Sequence, residues 1–324
     1  SDLHVFLRRG VPSRSSSRKS SCEAFLAMDH SASAADDGEE LTTKVHVGTP
    51  EADVPMSIVK TLPGVMCVHR LLGEGTESHV YACSVAGINQ MVAVKLWGQS
   101  FTSAELREIA LLSEVEHPNL VKLHHIIEGP HTAFVLELCL GGNLYQFLHD
   151  PTHREQLAQI HLRERICAAV DVVTGLAYLH SRCLVHKDIR PENCLLTKAD
   201  YLDICQIPFI KLSDSHLTRS IGSDWYLAPE VGSHTGRGLP ADIFSCGMLF
   251  HEIFFGESPS VWKHGDITSF TLAIVTGERP SLDMLPSEGV GADLRALLQD
   301  CWHGDPGARP SAVELVERLA LLLL

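Results

Sequence analysis

No run in this chain is apolar for long enough to cross a bilayer, which takes about 20 residues. The best candidate, Ile243–Phe255, is interrupted by His251 and Glu252 and reads instead as a buried helix. No membrane span is therefore expected. Metal-type cysteine spacing is missing too. The ten cysteines are scattered without a Cys-x-x-Cys pair, so neither a zinc site nor a disulfide framework is indicated, and the compartment reads as reducing and intracellular, most simply cytoplasmic. Positive charge is short, with 26 Lys and Arg against 40 Asp and Glu and a net charge of −14. That balance argues against a general nucleic-acid partner. No internal repeat is visible, so a solenoid is not expected. The chain opens on Ser1 rather than Met, and its natural start is expected to lie upstream.

What remains is the composition of an ordinary globular protein, 45% apolar over 324 residues, enough for a bilobal body with a sizeable core. Residues 1–55 lack helical or strand periodicity. Residues 1–28 are rich in Ser and Arg and carry a net +3, while residues 29–55 carry a net −6. A segment so polar cannot offset its own ordering entropy, and residues 1–55 are expected to form a disordered tail. From about Met56 to Glu137 short β-rich runs take over: Val65–Leu72, Val80–Val85, Met91–Trp97 and Ala133–Glu137. One helix interrupts them, roughly Thr102–Glu116, ended by the stop signal His117-Pro118-Asn119. From Asn143 onward helical patterns dominate, at Leu144–His149, His161–His180, Asp242–Phe255, Ala292–Cys301 and Ser311–Leu324. A small β-rich lobe followed by a large helical lobe is an α+β arrangement with a cleft expected between them.

The chemistry concentrates in Val185–Leu196, Val-His-Lys-Asp-Ile-Arg-Pro-Glu-Asn-Cys-Leu-Leu. A carboxylate, cations and a carboxamide packed this closely make a poor core segment, because burying them unpaired is costly. They suit a rigid loop pinned at both ends by apolar residues. There Asp188 can accept a proton from a hydroxyl, Arg190 can face a phosphate, and Asn193 can offer its carbonyl oxygen to a metal. The string resembles the protein-kinase catalytic loop, with Lys187 where that family usually has arginine. The plain alternative is a polar turn closed by Pro191.

Other segments resemble the same family in the same order. Gly73-Glu74-Gly75-Thr76-Glu77-Ser78-His79-Val80 sits between two strands, where glycines let the backbone approach phosphate oxygens. It runs into a strand rather than a helix, as a kinase glycine-rich loop does. Val92-Ala93-Val94-Lys95 resembles Val-Ala-Ile-Lys, and Glu108 stands on the next helix as the resemblance requires. Leu136–Leu144 resembles the hinge. Ile210-Lys211-Leu212-Ser213-Asp214-Ser215-His216 stands in the place of Lys-Ile-x-Asp-Phe-Gly, with Ser215 and His216 departing from Phe-Gly. Gly222–Glu230, Asp242–Gly247 and Asp305–Pro310 resemble the remaining motifs.

The resemblance, over about residues 64–322, implies a bilobal protein-kinase-like fold. It implies a kinase domain over 56–322, with an N-lobe at about 56–137, a hinge at 137–142 and a C-lobe at 143–322. It also implies ATP and Mg²⁺ as cofactors and the hydroxyls of protein Ser or Thr residues as substrates. By the same resemblance Asp188, Arg190, Lys95 and Glu108 are catalytic, with Lys95 and Glu108 paired. Gly73, Gly75, Ser78, Val80, Ala93, Lys95, Glu137, Cys139 and Leu195 hold the nucleotide, Leu136 is the gatekeeper, and Asn193 and Asp214 hold metal. Glu230 would pair with Arg309, and Asp242 would anchor the catalytic loop. Arg190 with Ser223 favours Ser/Thr over tyrosine substrates. Cys301-Trp302, Gly141–Leu144 and Gly175–His180 resemble the tyrosine-kinase-like group of Ser/Thr kinases. The short segment after Asp214 leaves Thr218, Ser220 and Ser223 as its hydroxyls, and weak or absent control by phosphorylation there is expected. The rival reading is a pseudokinase, an interaction module with little or no phosphate transfer. Its motivation is Ser215-His216, Ser78 and Lys187.

Overall fold

The computed structural model describes residues 54–74, 78–98, 101–102, 106, 109, 113–129, 131–198, 207–213, 224–233, 238–262 and 265–324. The chain divides after Ser57, and Ile58–Leu324 forms one compact unit. Apart from the opening of one helix, everything described belongs to that unit. The tail expected over residues 1–55 lies, up to residue 53, outside the described residues.

Five strands, β1 (Val65–Glu74), β2 (Ser78–Val85), β3 (Val92–Trp97), β4 (Leu123–Ile127) and β5 (Ala133–Glu137), make one antiparallel sheet in the order β1-β2-β3-β5-β4. β3 is buried along its whole length, as its Val-Ala-Val run requires of a strand covered on both faces. Its register sets Lys95 opposite Val80 on one side and Phe134 on the other, and Ala93 opposite Leu136. Trp97, Ile109, Leu123 and Phe134 form a core cluster, with Phe101 and Leu184 packed against it. Trp97, Phe101 and Phe134 meet edge to face at 5.4–6.4 Å, the geometry aromatic quadrupoles prefer.

Two sequence expectations need correcting here. A helix, α1 (Val54–Thr61), stands where β-rich sequence was expected to begin. It buries Val59 and ends before Pro63. The helix expected over Thr102–Glu116 is helical at Leu106 and Ile109, but Ser113 and Glu114 already form a turn and Val115 is irregular. Pro118 keeps only residue 117 from helical backbone, and the chain has left the helix four residues before that, earlier than apolar spacing implied.

The helical lobe is built on α5 (Leu239–Phe255), whose residues from Ala241 to Phe254 are all buried. Around it stand α2 (Leu144–His149), α3 (Arg154–Gln159), α4 (Leu162–Ser181), α6 (Pro259–Trp262), α7 (Ile267–Val275), α8 (Val290–Cys301) and α9 (Ala312–Leu321). α8 approaches α5 so closely that a Cβ on Gly247 would stand 2.8 Å from Cys301 Cβ, a spacing only glycine permits. α2 starts with a capping box between Asn143 and Gln146, which satisfies two orphan N–H donors. No described helix is long and apolar enough to cross a membrane.

A two-stranded ribbon, β6 (Cys194–Leu196) with β7 (Ile210–Leu212), ties the lobes together. Leu212 N–H donates to Asn119 O and Val121 N–H to Leu212 O, both at 2.8 Å. Gly141 N–H donates to Leu196 O and Leu196 N–H to Gly142 O, each at 2.9 Å. A Cβ on Gly141 would fall 2.2 Å from Lys198 O. The fold is therefore α+β and bilobal, with the five-stranded sheet in one lobe and the helices in the other.

Candidate active site

The loop from Val185 to Asn193 is held from below by α5. Asp242, in the first turn of that helix, accepts from His186 N–H at 2.7 Å and Lys187 N–H at 2.9 Å. The His180 ring sits 2.9 Å from the same carboxylate. A carboxylate at a helix N-terminus is favoured by the helix dipole, so one side chain both completes the helix and fixes the loop. Lys187 takes a positive φ of 73°, uncommon outside glycine. That bend turns Asp188 upward, where it is 9% exposed.

Asn193 closes the loop. Its Nδ2 donates to Asp188 O at 2.9 Å and to Asp188 Oδ2 at 2.8 Å, which orients the carboxylate. Its carbonyl oxygen Oδ1 makes no hydrogen bond among the described residues. Its main-chain oxygen accepts from Ser213 N–H at 2.9 Å and from Ser213 Oγ at 3.2 Å. The residue just before Asp214 is thereby fixed to the residue whose free amide oxygen could bind a hard cation. Asp214 itself lies outside the described residues, as do Gly75, Glu108, Leu112, Ser215, His216, Thr218, Ser220 and Ser223.

Above the loop a cavity of about 470 Å³ opens between the sheet and the hinge. Of the residues expected to hold a nucleotide, Gly73, Val80, Ala93, Lys95, Glu137, Cys139 and Leu195 line it. Ser78, buried at the start of β2, does not, whereas Leu136 and Ser213 do. Lys95 is 7% exposed, with Nζ 4.9 Å from the centre of the Trp97 ring. Val80, Ala93, Leu136 and Leu195 give apolar wall, and Lys95 supplies a buried cation. That combination suits a flat ring attached to phosphates, and the amide oxygen of Asn193 below is a hard oxygen of the kind that suits Mg²⁺. Burial, together with the nearby Glu137 carboxylate, pushes the Cys139 thiol up to about 12, so it is inert as a nucleophile at neutral pH. The Glu137 side chain is occupied elsewhere, pairing with Lys211 Nζ at 2.9 Å.

Arg190 does not stand open. It pairs with Glu192, Nε donating to Oε2 at 2.9 Å and Nη2 standing 2.9 Å from Oε1 as an ion pair. Neither Nη1 nor Nη2 makes a hydrogen bond among the described residues. Glu192 also lines the cavity. Sequence reasoning passed over it, although its place two residues after Arg190 was a usable signal. Sequence reasoning also missed a buried trio below the loop. The Glu252 carboxylate, fully buried, meets His149 Nε2 and Tyr226 Oη at 2.6 Å each. Burial raises Glu252 above the usual carboxylate range, although both hydrogen bonds pull the other way. The Glu230–Arg309 pair forms as a two-pronged contact at 2.6 and 2.9 Å.

A protein kinase domain profile matches residues 66–319. Mitogen-activated protein kinase kinase kinase 7 of Homo sapiens is 30% identical over 261 residues, covering 79% of this chain and 41% of that protein. Serine/threonine-protein kinase VIK of Arabidopsis thaliana is 30% identical over 224 residues, covering 65% of this chain and 49% of that protein. Serine/threonine-protein kinase CTR1 of the same plant is 28% identical over 263 residues, 78% of this chain and 31% of its own. This chain thus spans less than half the length of these relatives. With a profile match that runs from the second residue of β1 into α9, the chain belongs to the protein kinase domain family.

Proposed function

We propose that the chain is a protein kinase that transfers the γ-phosphoryl group of ATP to Ser or Thr hydroxyls of proteins, of the tyrosine-kinase-like group. The observation that carries this reading is the Asp188–Asn193 pair, buried, hydrogen-bonded to each other and fixed by Asp242 beneath a cavity containing Lys95. Two of the relatives, VIK and CTR1, are named serine/threonine-protein kinases, which supports the substrate class.

Val80, Ala93 and Leu195 would enclose the adenine, and Lys95 would hold the phosphates with Glu108 as its partner. Asn193 and Asp214 would hold Mg²⁺. Bound there, Mg-ATP supplies an electrophilic phosphoryl group whose charge the metal offsets. Asp188, oriented through Oδ2 by Asn193, takes the hydroxyl proton of the substrate. Positioning rather than base strength does most of the work, because the transition state is loose. Arg190 keeps one guanidinium edge on Glu192 and presents the other to the transferring group. Lysine, the family's usual residue here, could not serve both partners in that planar fashion.

Asp188→Asn should lower phosphate transfer by roughly 10²–10⁴-fold, the range for loss of a positioned base. It should leave ATP-dependent thermal stabilisation in place. Transfer at the parent rate would refute the catalytic assignment. The pseudokinase reading draws on Ser215-His216 and on the Arg190–Glu192 contact. Stabilisation by ATP with Mg²⁺ but no transfer to any protein substrate would favour it.

A further inference from the structure

A second cavity, of about 370 Å³, lies between the end of α2, the Asp150–Arg154 turn, the start of α4 and the end of α5. It shares no residue with the nucleotide cavity. Its polar lining is His149, Asp150, Arg154 and Arg165.

Arg165 is the unusual member. Half-buried, it donates Nη1 to Ile253 O and Nη2 to Leu157 O at 3.0 Å. Those carbonyls hold the guanidinium in place without neutralising it. Three of its five N–H donors remain uncommitted, and no carboxylate faces it among the described residues. Burial accordingly pulls its pKa down with nothing opposing. A guanidinium withdrawn from water without a counter-charge is costly. Arg154, exposed at the mouth, makes no ion pair among the described residues either. The single acid, Asp150, commits Oδ1 to Thr152 N–H at 2.8 Å and Thr152 Oγ1 at 2.7 Å. Two arginines from separate elements therefore line a space bordered by a single acid, Asp150, whose hydrogen bonds to Thr152 tie down one of its two carboxylate oxygens.

We propose that this cavity is a binding site for a phosphoryl group carried on a protein side chain. Two guanidinium groups match a dianion better than a monoanionic carboxylate. The volume lies near the lower end of the roughly 300–1,000 Å³ typical of ligand sites, so it fits one modified side chain rather than a nucleotide. Pro151, Leu157 and Phe255 provide apolar wall for the carbon stem. His149 then joins the site to the segment after residue 223, because its ring contacts Glu252, which in turn holds Tyr226. The proposal stands whether or not the chain transfers phosphate.

The test is fluorescence anisotropy on the whole chain with a labelled Ala-Gly-Ala-phosphoSer-Ala-Gly-Ala peptide, alongside its Ser and Glu counterparts. Inorganic phosphate serves as competitor. The phosphopeptide should bind and the Ser and Glu peptides should not. Inorganic phosphate should compete only at much higher concentration. Arg154→Glu, an exposed change that leaves packing intact, should weaken binding by about tenfold or more, the scale of one charge-assisted contact. Lys95→Met, in the other cavity, should leave it unchanged. No phosphopeptide binding, equal binding of the Ser or Glu peptide, equal potency of free phosphate, indifference to Arg154→Glu, or loss with Lys95→Met would each overturn the proposal.

Discussion

Arg190 shows what a single residue contributes when its partner is counted. A guanidinium offers five N–H donors in a plane, and here one is spent on Glu192 Oε2 at 2.9 Å while Nη2 pairs ionically with Oε1 at the same distance. This contact fixes the direction of the remaining edge without consuming it. If Arg190 acts as proposed, Glu192 is a positioning residue, one that acts through it. Glu192→Gln keeps an acceptor but removes the charge, so one prong of the contact is lost, and charge-assisted bonds are roughly twice as strong as neutral ones. The expected outcome is a fall in the transfer rate of about three- to thirtyfold, following about 0.7–2 kcal/mol of lost positioning. The Michaelis constant for ATP should hardly move. Arg190→Lys should fall at least as far, because an ammonium cannot bridge Glu192 and a phosphate in one plane. Equal loss in kcat and in ATP affinity would instead mark Glu192 as part of the nucleotide pocket.

Asp242 links two elements, the N-terminus of α5 and the loop from Val185 to Asn193, through bonds of 2.7 and 2.9 Å to consecutive N–H groups. Asp242→Asn keeps at most one acceptor for those two donors. Leaving a buried donor unsatisfied costs about 1–3 kcal/mol, and a chemical denaturation curve should show a loss of that size. A variant as stable as the parent would mean that the loop is held elsewhere. Gly141→Ala tests the hinge, since its Cβ would stand 2.2 Å from Lys198 O. Overpacking of that kind costs about 1–3 kcal/mol, and the strain falls on the strand carrying Leu195. Much of this was legible in sequence. The β-branched runs of β1–β3 and the apolar stripes of α4, α5, α8 and α9 mark themselves by period, and Val185–Leu196 by its density of charge. Short elements escaped. β6 and β7 are three residues each, too brief for alternation to register. The Glu252 trio escaped for another reason: His149 and Glu252 are 103 positions apart, and no local pattern announces such a contact.

At the scale of the whole molecule, the many histidines bear on stability in acid. His117, His124 and His251 all have depressed pKa values, chiefly through burial. His117 is brought down to about 4 by burial and by the nearby Lys211. Its Nδ1 accepts from Asn119 N–H at 3.1 Å, and its ring stacks on Tyr178 at 5.0 Å; protonation at Nδ1 would remove that acceptor. A base whose folded pKa lies below its unfolded value contributes stability that is present above the unfolded value and lost as pH falls towards the folded one. For His117 the window runs from 6.5 down to about 4. Glu252 acts in the opposite sense, because its raised pKa makes the folded state bind a proton more readily as pH falls. The net charge of −14 also shrinks on approach to the isoelectric point near 5.7, easing self-repulsion. Three imidazoles against one carboxylate and a diffuse, salt-screened term leave the histidines dominant. Urea midpoints should therefore fall steadily from pH 6.5 to pH 4.5. His117→Gln, neutral throughout, should flatten the slope by an amount on the order of 1–2 kcal/mol across the window, after allowing for the partial exposure of that ring. A rising or level stability over that range, or a variant as acid-sensitive as the parent, would show that the repulsion term outweighs the buried imidazoles.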